Sequence, residues 1–199
     1  MRNAGYGGWC TRGVGMRSMN LVQMAASLCC LLPLAVASSA TAATDAEIDA
    51  GVGPARNQCG AHIPGCNTAA EKAKGMLVFP EITKGAVGVG GSYGEGALIV
   101  GGKTVAYYSA TAASVGLQLG AEKYSEIIMF MTTEALDSFR NSSGWEAGAN
   151  AQVTAIDEGK AANISSIAAS DPVIAFVFGQ KGLLGDLSVQ GSKISKLDR

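Results

Sequence analysis

The chain has a single histidine, His62. Most hydrolase mechanisms that use histidine as general base are therefore hard to build. Aromatics are 6% and charged residues 16%, with a formal net charge of −1. So small a supply of stacking groups and cations removes the usual case for nucleic-acid binding. There are only five prolines, and the 27 glycines follow no Gly-X-Y period, which excludes collagen. What is plentiful is apolar surface. Hydrophobic residues make up 48% of 199, enough for one ordinary domain and too much for a disordered chain.

The first forty residues distort these averages. Arg17 precedes the apolar stretch Leu21–Ala37, and Ala40-Thr41-Ala42 then offers a small-x-small cleavage site. That order is expected of a secretory signal peptide, with a membrane anchor as the alternative. Lipid attachment at Cys29 or Cys30 is disfavoured because the apolar run continues past both. Residues 1–42 are read as leader, with translation starting at Met16 or Met19. The expected destination is outside the inner compartment, periplasmic or outer-membrane associated. Without the leader, 12 basic residues face 16 acidic ones, a net charge of −4.

Two cysteines remain, Cys59 and Cys66. In an exported chain they are expected to pair, closing a loop that contains Gly60, Pro64 and Gly65. Closing so short a loop stabilises by roughly 2.5 kcal/mol on the chain-entropy account. Metal binding by Cys59, His62 and Cys66 is the alternative, with no clear fourth ligand.

Residues 43–66 read as a linker with the cysteine loop, and 67–199 as the folded domain. Thr44–Asn57 is polar and broken by Gly51, Gly53 and Pro54, a linker or weak helix. Thr68-Ala-Ala-Glu71 is a capping-box signature, predicting a short helix to Lys74. Met76–Phe79 reads as a buried strand closed by Pro80. Ala97–Val100 and Thr104–Tyr108 flank Gly101-Gly102-Lys103 as a hairpin. Ser114–Lys123 alternates as a half-buried strand, and Glu126–Met131 is apolar enough to be central. Thr133–Asn141 has helical spacing, with acids early and Arg140 late. Trp145–Ile156 is extended and Asp157–Ser170 loop-like. Pro172–Phe178 is strongly β-prone, and Gly182–Leu197 resembles a last hairpin. The sum is α+β: about eight strands in a largely antiparallel, strongly curved, glycine-rich sheet, open or barrel-like, with two or three short helices.

Several motifs fail on inspection. Gly102-Lys103-Thr104 lacks the upstream glycine and following helix of a phosphate loop. The Gly88–Gly96 run has the wrong spacing for a dinucleotide loop. Glu95 and Glu146 are the best-placed candidate catalytic carboxylates, yet an exposed turn acid is the simpler reading of each. The serines lack a base. No catalysis and no cofactor are expected. Lys72, Lys74, Lys84, Lys103 and Lys181 are candidate lipid-phosphate ligands if they converge beside an apolar groove.

One ordered set of residues remains. It runs Ala73-Lys74-Gly75, Val78-Phe79-Pro80, Lys84-Gly85, then Gly88-x-Gly90-Gly91-x-Tyr93-Gly94-Glu95-Gly96. Ser114-x-Gly116-x-Gln118-x-Gly120-Ala121, Phe139, Trp145, Lys181-Gly182-Leu183 and Ser188-Val189-x-Gly191-Ser192 continue it. The set resembles the SYLF domain over residues 71–197. The resemblance implies a lipid-binding module, associated in eukaryotic members with phosphoinositide-rich membranes and in some with actin. With its expected leader, the chain looks like the exported bacterial branch. There the expected ligand is a phospholipid or other amphiphile of the envelope, with peripheral membrane contact. A structural or adaptor domain making protein contacts is the alternative.

Overall fold

The computed structural model describes residues 42–157, 170–181 and 191–199, with backbone alone for 86–89, 114–120 and 181. The expected leader (but for its last residue), most of the Asp157–Ser170 loop and the first part of the Gly182–Leu197 hairpin lie outside the described residues. Along the chain run α1 (Asp45–His62), α2 (Cys66–Lys72), β1 (Gly75–Val100), β2 (Lys103–Phe130) and α3 (Thr133–Asn141). Then come β3 (Trp145–Glu146), β4 (Thr154–Asp157), β5 (Val173–Lys181) and β6 (Lys193–Lys196). The fold class is α+β, as the sequence predicts.

The segment read as linker or weak helix takes the helical alternative, over 18 residues. Gly51, Gly53 and Pro54 all oppose a helix there. Local and tertiary contacts outweigh them. Thr44 Oγ1 accepts the Glu47 N–H while the Glu47 carboxylate accepts the Thr44 N–H, a complete capping box. Ile48, Ala55 and Cys59 are buried against the sheet. At Gly51 a Cβ would stand 2.6 Å from the Pro80 side chain, so the glycine lets helix and strand approach. The second signature, Thr68–Glu71, does not cap: α2 starts two residues earlier, behind Gly65 at φ 87. Cys66, the first residue of α2, is bonded to Cys59 in α1, and a left-handed glycine makes the turn between the helices at little steric cost.

Five predicted short strands merge into two long ones. β1 and β2 form one antiparallel ribbon from Gly75↔Phe130 to Val100↔Lys103. It turns through Gly101 at φ 58 and Gly102 at φ 79, the paired positive φ values of a two-residue hairpin. Pro80 does not end the strand. It sits where the register shifts between Phe79 and Ile82, a bulge where its missing N–H does no harm. The carbonyl of Pro80 accepts the Ser125 hydroxyl at 2.7 Å.

The ribbon also doubles back. A Cβ on Gly96 would lie 2.3 Å from the Val78 carbonyl, and one on Gly94 2.6 Å from Ile82. Straight strands would hold those partners roughly 40–60 Å apart. The reversal falls within Gly85–Tyr93, where Gly85, Gly88, Gly90 and Gly91 cluster, and a further register shift lies between Val87 and Val89. With β1 and β2 counted as two segments each, the sheet has the expected eight among the described residues. The remaining strands flank β2: β5 pairs its end, β6 its beginning, β3 pairs β6, and β4 runs parallel to β5.

Both faces are buried. Leu77, Phe79, Leu98, Ile128, Phe130 and Val173 pack with Leu136 and Phe139 of α3 and with Trp145. Val78, Ile127, Met129, Ile174, Phe176 and Phe178 pack beneath α1 and α2. Two-sided burial is why EIIMFM and VIAFVF are continuous apolar runs rather than alternating ones.

Candidate functional site

The two carboxylates singled out from sequence do not meet as a catalytic pair. Glu95 is buried and tied. Arg199 Nη2 donates to it at 2.7 Å, and the Tyr93 hydroxyl donates to its other oxygen. Its hydrogen bond to Glu95, with some burial, pushes the Tyr93 phenol up to about 12. Arg199 Nη1 also bonds the Ala43 carbonyl and Asp45 at the head of α1. Glu146 is exposed on β3.

Two other acids, which sequence reasoning missed, are buried among the described residues. Glu122, Tyr124 and Glu126 alternate along one face of β2. Burial pushes the Glu126 carboxyl up to about 7. It also raises Glu122, against the opposing effect of Lys84 across the ribbon. Glu122 Oε2 is buried with no hydrogen-bond partner. Glu126 heads an apolar run, and Glu122 follows alternating strand residues. The signal available was only that both lie in phase with core positions of β2.

The five candidate lysines fall into two groups. Lys72 and Lys74 flank the α2–β1 junction, near the end of the sheet that carries Lys103. Gly75 there abuts the Ile99 carbonyl, and Val100 pairs with Lys103. Lys84 and the backbone of Lys181 lie at the other end, where Lys84 pairs with Glu122 and Lys181 with Lys123. The side chain of Lys181 is outside the described residues. Ten residues of β1 separate the groups, about 30 Å. One headgroup cannot bridge them.

A pocket of about 280 Å³ opens elsewhere, between the start of β2, α3 and β6. Leu98, Val105, Ala106 and Tyr108 form its apolar side, and Asp137, Arg140, Asn141 and Lys196 its polar side. α3 is held for this by Thr132, whose Oγ1 accepts the Ala135 N–H at 3.1 Å. Phe139 anchors its inner face, with ring centroids 4.8 Å from Tyr108 and 4.7 Å from Phe130. That leaves Asp137, Arg140 and Asn141 on the neighbouring face by helical spacing. Neither Arg140 nor Lys196 forms an ion pair with any described carboxylate. Burial raises the Tyr108 phenol, and the Arg140 charge opposes it. Sequence reasoning missed Arg140 and Lys196 as ligands because they lie far apart in the chain, within segments that specify only helix or strand.

Cys59 and Cys66 are joined by a disulfide with Cα atoms 6.1 Å apart, which occupies both sulfurs. Among the described residues no cluster of His, Cys, Asp and Glu is arranged to hold a metal, and no helix is long and apolar enough to cross a membrane.

Comparison with known families gives a match over the second half of the chain. Residues 111–199 match the Ysc84 family, described as Las17-binding protein actin regulator. No curated protein matches the chain. The matched span covers most of β2, all of α3 and every later strand, including Arg140 and Lys196. The SYLF resemblance is thus supported over residues 111–199, which are similar to the Ysc84 family.

Proposed function

We propose that the protein is a non-catalytic module that binds a phospholipid or similar amphiphile of a bacterial envelope, exported to the periplasm or the outer membrane. The observation that carries this reading is the pocket between β2, α3 and β6, which brings Arg140 and Lys196, neither ion-paired among the described residues, together with Leu98, Val105 and Ala106. Anionic headgroups are held by such cations, and the exposed Val105 gives the first methylenes a surface to cover. Each methylene buried is worth about 0.8 kcal/mol. The formal charge of −4 without the leader argues against a broad electrostatic hold on anionic membranes. Attachment is therefore local, held at the pocket rather than spread over the surface. Glu95 is engaged by Arg199, which supports a binding role over a hydrolytic one.

Native mass spectrometry of protein extracted from its own envelope tests the proposal: bound lipid is expected, and a clean apo mass overturns it. Vesicle flotation should survive high salt if apolar burial dominates. The family's description favours a second reading, a protein-contact domain of the actin-regulator kind. Co-sedimentation with filamentous actin in the absence of lipid would favour it.

A further inference from the structure

Resting on that reading, we infer that the pocket selects a headgroup carrying both charges, a phosphate ester joined to a primary ammonium, over a headgroup carrying phosphate alone. Asp137 lines the same pocket as Arg140 and Lys196. It stands three residues before Arg140 on α3, yet forms no ion pair with it or with Lys196. Its carboxylate is exposed to a ligand rather than consumed by a neighbour. A site for a multiply charged anion gains nothing from an uncompensated carboxylate at its edge, since like charges there oppose binding. A zwitterion meets both signs at once: phosphate oxygens toward Arg140 and Lys196, ammonium protons toward Asp137. Asn141 adds an amide that can donate to ester oxygens or accept from the ammonium. The volume, about 280 Å³, lies at the small end for ligand pockets. It suits a headgroup and the adjoining glycerol, with acyl chains leaving along Val105.

The same chemistry could be presented by a lipid or by a soluble phosphate ester. Titration calorimetry with dihexanoyl phosphatidylethanolamine and dihexanoyl phosphatidylglycerol, both below their micelle concentrations, tests the choice. Glycerophosphoethanolamine serves as the soluble arm. The ethanolamine lipid should bind up to about fivefold more tightly than the glycerol lipid, the scale of one exposed ion pair. Asp137→Asn should erase that preference while leaving the glycerol lipid unweakened. Arg140→Gln with Lys196→Gln should weaken both lipids about tenfold or more. All three side chains are exposed, and circular dichroism confirms that the variants fold. Equal or tighter binding of the glycerol lipid, or a preference that survives Asp137→Asn, overturns the inference while the pocket stands. Binding that ignores the double variant, or no binding of either lipid, overturns the pocket itself. A soluble ester that binds as tightly as the lipid keeps the inferred chemistry and overturns the lipid source.

Discussion

Glu126 makes the pH dependence of stability calculable. Its carboxyl is fully buried between the sheet neighbours Phe79 and Val177, and burial raises its pKa from the ordinary 4.5 to about 7. Between those values the folded chain holds a proton that the unfolded chain has released. The folded state therefore binds more protons, and stability falls as pH rises through the window. The contribution is complete below about pH 4.5 and lost above about pH 7. The interval corresponds to ~3 kcal/mol. Glu126→Gln keeps the shape of the protonated acid and removes the titration. At pH 8 the variant should be more stable than the parent by up to ~3 kcal/mol, and the gap should close toward pH 5. Urea denaturation of both proteins at unit steps from pH 5 to pH 9 measures this directly. A gap that does not vary with pH would refute the reasoning, because a structural effect of the amide is constant while a linkage effect is not.

Other expectations follow from the same contacts. Arg199→Ala leaves the buried Glu95 carboxylate without its cation and should cost about 2 kcal/mol in denaturant midpoint experiments, discounted because the arginine is partly exposed. The loss should shrink in the Glu95→Gln background. Replacing Cys59 and Cys66 by alanine should lower stability by about 2.5 kcal/mol and leave lipid uptake unchanged; lost uptake at full stability would assign the loop a role in binding. Gly96→Ala puts a methyl against the Val78 carbonyl and the Phe79 ring and should cost more than ~2 kcal/mol, or prevent folding. Gly53→Ala, which meets nothing within 4 Å inside α1, should raise the melting temperature through a gain of about 0.5–1 kcal/mol.

Local rules were legible wherever one element decided its own form. The Gly101-Gly102 turn, α3 with its late Arg140, and the β-prone run ending in Phe178 could be read directly from the residues. Length and continuity could not. Pro80 and the glycines between Gly85 and Gly96 look like breaks to a reader counting propensities. In the folded chain they are a bulge and a reversal inside one ribbon, because contacts such as Gly96 with Val78 join residues remote in sequence. α1 shows the opposite error. Its helix-opposing residues are overruled by burial of Ile48, Ala55 and Cys59, which no single segment announces. The candidate pocket was hidden for a related reason. Arg140 and Lys196 lie 56 positions apart, and only the pairing of β6 with β2 brings them to one place. Lys74 and Lys84 both adjoin glycines, yet β1 carries them to opposite ends.

The two-residue turn at Gly101-Gly102 has a kinetic consequence. Gly75 and Phe130 are partners 55 positions apart, yet neither must find the other by diffusion through open chain. From the glycine pair outward, each rung places the next two residues within reach, so the ribbon can form like a zipper, each step closing a loop only slightly larger than the last. Lengthening that turn would slow the first closure and leave the rate of disassembly nearly untouched.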